Sequence, residues 1–323
     1  MWGSNSMVHL LHSTQRALRK KRDENRQSGY ERKHDLLYKR HGGEKALFVV
    51  MAILFVLFAA TFIFPFIWLF FNSLKKPLEY AQNTMSLPKT WRWSNFSKAL
   101  TYSSTDTNGY NLLQMLGTSV LVAGGGTLAT VITSSCAAWV VAKYKFPGRS
   151  LIFSVVIFSL IVPIVGSLPS QMQLMKGMGL MDSVIGVIFL YSGGFGTNFL
   201  LLYSFFKNLS WTYVEAAKID GASDFRIFVQ IVLPMAKGPM IAVGVLSLIG
   251  LWNDYLTPSI YLSKQPTISY GIYIMQTAIN NGGSSDYPLF FAMILLTIIP
   301  ILLIFILFNK TIMENTTVGG LKG

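Results

Sequence analysis

Asp254 is the one charged residue within six long apolar runs of the sequence. A carboxylate in apolar surroundings must be paired, protonated or in contact with water, because an isolated charge is strongly disfavoured there. One interpretation is that Asp254 and its neighbour Asn253 bond to the backbone where a helix breaks before Pro258. The other is that both side chains line a polar path through the protein. The sequence leaves both interpretations open.

Gln171 belongs to a second polar cluster inside an apolar run. Pro163 and Pro169 interrupt that run, and the backbone groups that they free must be satisfied by neighbours or by a watery cavity. Gln171 is therefore a second candidate for the wall of a polar path. The alternative is that the cluster only marks the point where the chain leaves the membrane.

The residue patterns of an enzyme are missing from the sequence. It contains no G-x-x-x-x-G-K-[ST] phosphate-binding loop, and no Ser/His/Asp, paired-carboxylate or metal-ligand set occurs within the apolar runs. All four histidines precede residue 42, and Cys136 is the only cysteine. We therefore expect no catalytic residue, no metal site and no cofactor bound by this chain.

The six apolar runs predict an all-α, polytopic membrane protein with six transmembrane helices. Each run has about 20 residues or more, enough to cross a bilayer as a helix. Hydrophobic residues make up 52% of the 323 residues, a high share for a soluble domain. The runs are residues 46–71, 112–142, 151–175, 183–206, 240–262 and 288–308.

The net charge of +13 follows mainly from the membrane orientation. Most of the 27 Lys and Arg lie before residue 46, in 143–149, in 207–237 or after residue 309. By the positive-inside rule these segments, and both termini, are expected in the cytoplasm. The basic tail is suited to anionic lipid headgroups, and the charge requires no nucleic-acid partner.

The charged residues of 210–239 are predicted to form a helix, a tight corner and a second helix. Ser210 is predicted to cap the first helix, and Gly221 supplies the conformational freedom of the corner. Ser223 is predicted to cap the second helix, and Pro234 to end it. So many charges are disfavoured in lipid, so the segment is expected in the cytoplasm. An amphipathic linker at the membrane surface is the alternative.

The letters E-A-A-x-x-D-G-A, which begin at Glu215 and precede a downstream Leu-Pro, resemble the "EAA" coupling loop of bacterial ABC importer permeases. The resemblance implies that residues 210–239 contact a separate ATPase. Glu215 would then meet a basic ATPase residue, Asp220 and Gly221 would form the bend, and Ala216 and Ala217 would set how deeply the helix is seated.

Three other segments resemble the carbohydrate, maltose-type group of these permeases. They are P-x-x-W…N-[YF], from Pro88 to Phe96, W-N-[DE]-[YF], from Trp252 to Tyr255, and G-x-x-K-G, which ends at Gly323. The last implies that Lys322 reaches into the ATPase dimer.

The resemblance implies a type I importer (MetI-like) permease fold in the bacterial inner membrane. It also implies a complex with a second homologous permease subunit, a dimeric ABC ATPase that uses ATP and Mg, and an extracytoplasmic solute-binding protein. The expected segments are a basic cytoplasmic tail (1–45), a first transmembrane helix (46–71), an extracytoplasmic segment (72–111), a permease core (112–310) that includes cytoplasmic loop 210–239, and a cytoplasmic tail (311–323).

The sequence therefore predicts a permease subunit of an ATP-driven importer of a carbohydrate. The chain shows no energy source of its own, so coupling to a partner ATPase is expected. Two alternatives stay open: a type I permease for a non-sugar solute, and an ion-gradient-driven carrier with Asp254 as its coupling acid.

Overall fold

The computed structural model describes residues 42–161, 166–282 and 286–316, and in these ranges every regular element is a helix. Helices suit the apolar runs because they satisfy their backbone hydrogen bonds internally. The chain divides after Ile67 into two compact units. The first contains, among the described residues, the beginning of the first helix. The second contains everything from Trp68 onward.

The helices follow one another with short connections. In chain order they are α1 (Gly42–Ser73), α2 (Pro77–Gln82), α3 (Ser94–Thr101), α4 (Leu112–Lys143), α5 (Arg149–Ile161), α6 (Ser167–Gly177), α7 (Val184–Tyr191), α8 (Thr197–Asn208), α9 (Thr212–Ile219), α10 (Asp224–Ile227), a π-helical turn (Phe228–Val232), α11 (Leu233–Met235), α12 (Lys237–Asn253), α13 (Leu256–Tyr261), α14 (Ile268–Asn280) and α15 (Tyr287–Thr316).

Three helices of the described chain are long and apolar enough to cross a membrane, in the segments Ala46–Ser73, Leu112–Lys143 and Tyr287–Lys310. A fourth span results if the bent pair Asp224–Met235 and Lys237–Asn253 is counted as one. The other predicted spans are each divided into two shorter helices. The number six therefore stays a prediction.

The breaks lie at residues that favour them. Gly166, with a φ of +89°, precedes α6, and Gly196, with a φ of +143°, precedes α8. Pro169 lies in the first turn of α6, where a missing backbone N–H leaves no hydrogen bond unmade. Pro163 is outside the described residues. The interruption that the prolines predicted is thus present, but at the described residues a glycine makes the turn.

α4 is the central helix of the second unit and packs against α7, α8 and α12. Its small residues permit this close approach. A Cβ atom on Gly126 would lie 2.8 Å from Tyr191 Cδ2 and 2.9 Å from Leu251 Cδ1. The Thr130 hydroxyl donates a hydrogen bond to the Tyr191 carbonyl at 2.6 Å. α4 therefore positions α7 and α12 against each other.

Asn95 ties the segment after α1 to the rest of the second unit. Its buried side-chain amide donates to the carbonyl oxygens of Ser73 (2.8 Å) and Lys75 (3.0 Å). The Arg92 N–H donates to the Leu74 carbonyl at 2.9 Å. The asparagine of the P-x-x-W…N-[YF] segment therefore satisfies backbone groups at the end of the first apolar helix.

Gly186 is the place where a side chain is least tolerated. A Cβ atom there would lie 2.1 Å from the Leu180 carbonyl oxygen, which belongs to the backbone and cannot rotate away. We expect Gly186→Ala to lower the melting temperature of the detergent-solubilised protein by several degrees, because α7 must move away from the loop before it. Gly250→Ala is the matched control, since a Cβ atom at Gly250 meets nothing within 4 Å. Equal melting temperatures for the two variants would contradict this prediction.

Candidate coupling site and polar path

The predicted helix, corner and helix are present in residues 212–227. α9 ends at Ile219 with Asp220 as its C-cap, and Gly221 turns the chain with a φ of +78°. Such a φ is strained for most residues other than glycine. The Ser223 hydroxyl accepts a hydrogen bond from the Arg226 N–H at 3.4 Å. Ser210 lies one residue before Trp211, which is the N-cap of α9. Its hydroxyl accepts a hydrogen bond from the Thr212 N–H at 3.3 Å and contacts the Thr212 hydroxyl, so it satisfies a free N–H in the first turn from one position further back than predicted.

The inner face of this corner packs on the helical bundle. Val214 and Ile227 are buried, and the Trp139 ring of α4 stacks between Trp211 and Phe228 at centroid distances of 6.3 and 6.2 Å. Ala217 is buried in the same cluster. Ala217 therefore packs on its own bundle, and its predicted part in seating the helix on an ATPase stays a prediction.

The outer face of the corner carries the exposed residues Glu215, Ala216 and Asp220. Beside them are two large apolar side chains: Ile219, which the sequence did not mark out, is 87% exposed, and Phe225 is 77% exposed. Exposed apolar groups of this size next to charges are typical of a protein contact surface. Ile219 follows the buried Ala217 by two residues, and Phe225 precedes the buried Ile227 by two residues. In a helix this spacing places them on the side opposite to the bundle, and that was the signal in the sequence.

Polar contacts fix the corner to the end of α4. The Tyr144 hydroxyl donates to Asp224 Oδ1 at 3.0 Å, and Lys218 Nζ lies 3.0 Å from the same oxygen. Burial, and secondly the hydrogen bond to Asp224, raise the pKa of Tyr144. Lys143 Nζ donates to the carbonyl oxygens of Lys207 and Leu209. Polar contacts thus hold α10 and the segment before α9 to the bundle, and the Lys218–Asp224 ion pair joins α9 to α10.

The second helix of the corner continues into the bundle through an irregular segment. After α10 the backbone forms the π-helical turn and then α11, and the axis bends by 76° at the step into α12. Pro234 was predicted to end the second helix, but the helix continues past it. It sits in the first turn of α11, where its missing N–H is tolerated, and the break follows at Ala236. The corner and α12 are therefore joined by continuous backbone with a defined bend.

Asp254 lies at the break between α12 and α13 and bonds to both sides of it. Its Oδ1 accepts a hydrogen bond from the Thr257 N–H at 3.0 Å, and its Oδ2 accepts one from the Tyr191 hydroxyl at 2.8 Å. Asn253 is exposed, and its amide donates to the Ile249 carbonyl at 2.8 Å. The structure thus shows the backbone-capping arrangement, while both side chains keep some access to solvent or to a partner.

Gln171 approaches the other end of α13. Its Oε1 accepts a hydrogen bond from the Tyr261 hydroxyl at 3.2 Å, and its side chain is exposed. Asp254 at the start of α13 and Gln171 at its end are therefore both attached to this six-residue helix. The sequence could not show this, because Gln171 and Tyr261 are 90 positions apart.

Asp182 connects two loops and was not selected from the sequence. Its N–H donates to the Tyr261 carbonyl at 2.9 Å, and its Oδ1 accepts hydrogen bonds from the Ser263 hydroxyl (2.9 Å) and the Lys264 N–H (3.3 Å). Partial burial opposes the charged form, but these hydrogen bonds outweigh it and the pKa of Asp182 is lowered. The carboxylate therefore keeps the α6–α7 and α13–α14 loops together.

A cleft of about 770 Å³ opens between α4 and α12. It has an almost wholly apolar lining, with Thr127 and Lys237 at its polar points, and it offers few hydrogen-bonding groups to a polar solute. Across the described ranges no three His, Cys, Asp or Glu side chains come close enough to hold a metal ion. Among the described residues, the polar candidates are thus the corner, the α12–α13 break and Gln171.

Long apolar helices, interrupted helices with polar groups at the breaks, and a charged corner joined to one of those helices together define a membrane permease. Residues 129–311 match the family described as "Binding-protein-dependent transport system inner membrane component". The chain belongs to this family. It is accordingly a multi-pass component of a membrane transport system and not an enzyme.

Similar proteins cover most of the chain. The diacetylchitobiose uptake system permease protein NgcG of Streptomyces coelicolor is 31% identical over 82% of this chain and 86% of its own length. The maltose/maltodextrin permease MalG of Escherichia coli is 26% identical over 87% and 97% of the two chains. The arabinooligosaccharides permease AraQ of Bacillus subtilis is 26% identical over 88% and 99%.

A solved structure confirms the fold class. A chain of a bacterial ABC transporter involved in the import of the acidic polysaccharide alginate has a TM-score of 0.68 and 21% sequence identity, and the likeness covers 84% of this chain and 98% of the other. The ABC importer resemblance read from residues 215–222 is therefore confirmed at the level of family and fold.

Proposed function

We propose that the chain is the permease subunit of an ATP-driven importer of an oligosaccharide. The observation that carries this proposal is the similarity, over more than four fifths of the chain, to permeases named for diacetylchitobiose, arabinooligosaccharides and maltodextrins. The neutral polar groups at the α12–α13 break are compatible with a hydroxyl-rich solute.

The corner supplies the connection to the energy source. Its exposed face, with Glu215, Ala216 and Asp220 beside Ile219 and Phe225, is suited to a cleft in a separate ATPase. Glu215 would meet a basic ATPase residue, and Gly221 would hold the angle between α9 and α10. By resemblance, Lys322, which is outside the described residues, would reach the ATPase dimer. ATP and Mg would be used in that partner.

Motion of the ATPase would reach the transport path through the backbone. The corner is fixed to α4 by Tyr144 and Trp139, and it continues through the π-helical turn into α12. α12 ends at Asn253, where Asp254 bonds to α13 and to Tyr191. A displacement of the corner would therefore move the α12–α13 break relative to α7, which is a rigid-element route to alternating access.

The complex would contain a second homologous permease subunit, a dimeric ABC ATPase and an extracytoplasmic solute-binding protein. Both termini and residues 210–239 would be cytoplasmic, in agreement with the positive-inside rule. The basic segment 1–45 would contact anionic membrane lipid. Residues 46–71 would form the first transmembrane helix and 72–111 an extracytoplasmic segment. Residues 112–310 would form the permease core and 311–323 a cytoplasmic tail.

The function is tested by uptake in proteoliposomes that contain the complete transporter and its binding protein. The sugar panel is diacetylchitobiose, arabinotriose, maltotriose and an alginate trisaccharide. We expect ATP-dependent accumulation of at least one neutral sugar and none without ATP. Uptake driven by a proton gradient without the ATPase, or no uptake of any sugar, would overturn the proposal.

A further inference from the structure

Two tyrosines beside the α12–α13 break form an exposed aromatic pair. The rings of Tyr255 and Tyr273 stack with a centroid distance of 4.7 Å and an interplanar angle of 24°. They stay 43% and 44% exposed. Because each ring uses only one face in the stack, the pair offers further aromatic surface to a ligand.

The first turn of α14, just before Tyr273, packs on the first two turns of α4. The Ile268 N–H, at the start of α14, donates to the Ser119 hydroxyl at 2.7 Å. Ser119 is seven residues from the beginning of α4, or about 10 Å along the helix. One turn later, Gly271 contacts Met115. α14 therefore runs toward the beginning of α4, and Tyr273, two residues after Gly271, lies near that end of the helix.

Neutral hydrogen-bonding groups lie close to the pair along the chain. Gln276 and Thr277 are exposed and follow Tyr273 by three and four residues, so they share its face of α14. Asn253 is exposed two residues before Tyr255, and its amide nitrogen is already used by the Ile249 carbonyl, which leaves its oxygen as an acceptor. α13 and α14 contain no charged residue. Asp254 directly precedes Tyr255, and Lys264, in the loop between the two helices, is paired with Asp182 at 3.7 Å.

We propose that Tyr255 and Tyr273 form a platform on which a pyranose ring of a neutral carbohydrate stacks during its passage. The C–H face of such a ring is apolar and suits an aromatic surface, whereas its edge hydroxyls suit the Asn253 and Gln276 amides. An acidic sugar is disfavoured, since no cation of α13 or α14 would balance it and Asp254 would repel it. This inference rests on the proposed function and names the solute class of the same path.

The test compares Tyr255→Leu and Tyr273→Leu with Tyr255→Phe and Tyr273→Phe in the complete transporter, with the neutral sugar that the panel identifies. Phe189→Leu is the matched control, because Phe189 is an exposed aromatic residue on α7 whose ring does not belong to the stacked pair. The readout is the number of sugar molecules imported per ATP hydrolysed, together with ATPase stimulation by the loaded binding protein.

We expect each leucine variant to lower the sugar imported per ATP about fivefold, the size of effect of one lost aromatic contact. ATPase stimulation should stay within about twofold, and the phenylalanine and Phe189→Leu variants should resemble the wild type. A merely structural pair would lower ATPase stimulation and complex yield as well, and that result would overturn the platform. Wild-type import by the leucine variants, or import of the alginate trisaccharide by the wild type, would also overturn it.

Failure of the tyrosine platform can be distinguished from failure of the proposed import function. If the wild-type complex imports a neutral sugar and the leucine variants import it equally well, only the platform fails. If the wild-type complex imports no sugar, the proposed function fails and the platform fails with it. Loss of the second permease subunit from purified leucine variants would identify the pair as a subunit contact and reject the platform.

Discussion

Gly221→Val is expected to lower ATP-driven uptake at least tenfold while the protein still inserts into the membrane. Gly221 has a φ of +78°, and a β-branched residue at this φ is disfavoured by about 1–3 kcal/mol. A Cβ atom at Gly221 would meet nothing within 4 Å, so the effect arises from the backbone and not from a clash. The corner must therefore change the angle between α9 and α10, whereas the distant helices keep their packing.

The measurement is uptake in proteoliposomes, accompanied by ATPase stimulation and by co-purification of the ATPase. Gly221→Asn is the matched control, because asparagine tolerates positive φ far better than valine, and it should keep most of the activity. A valine variant with wild-type ATPase stimulation would show that the angle of the corner does not transmit work.

The corner was predictable because the residues that form it are close together in the sequence. A glycine that turns the chain, a serine that caps the next helix and charges that exclude the segment from lipid are all readable within a few positions, and the structure has the first two as expected. The orientation of single residues was less accessible. Ala216 and Ala217 are adjacent and equal in the sequence, but only packing against Trp139 and its neighbours decides that Ala217 faces inward.

The sequence showed that a polar group lies within an apolar run, but it could not show which distant residues contact that group. Asp254 was identifiable as a charge in an apolar run, and its role as a backbone cap was one of the two interpretations. Its partner Tyr191 is 63 positions away in an apolar helix and carries no local mark. The stacking of Tyr255 on Tyr273 likewise depends on how α14 folds back along α4, which periodicity does not show.

The number of membrane spans was also not predictable from hydropathy alone. Hydropathy measures the length of an apolar run, and it does not register a break that glycine or a capping side chain makes inside the run. The run 240–262 contains such a break at Asp254, and the run 183–206 contains one before Gly196. A run that looks like one span can thus be built as two helices whose freed backbone groups are satisfied by neighbours.

Asp254→Ala is expected to destabilise the transporter by about 2 kcal/mol, because two buried or half-buried donors lose their acceptor at once. These are the N–H of Thr257, at the start of α13, and the hydroxyl of Tyr191. The loss should be visible as a lower melting temperature in detergent and a lower yield of assembled complex. Uptake should fall with the amount of complex that remains.

Asp254→Asn separates this structural role from proton coupling. The asparagine carbonyl can still accept from the Thr257 N–H, and its amide can pair with the Tyr191 hydroxyl, so the break keeps its hydrogen bonds without a titratable group. If ATP drives transport, Asp254→Asn should stay stable and retain most of its uptake. If Asp254 were the coupling acid of an ion-gradient-driven carrier, the same variant would be stable but would not accumulate solute. A stable Asp254→Asn protein that does not accumulate solute would therefore favour the gradient-driven alternative, because the variant keeps the hydrogen bonds of the break and loses only the group that can carry a proton.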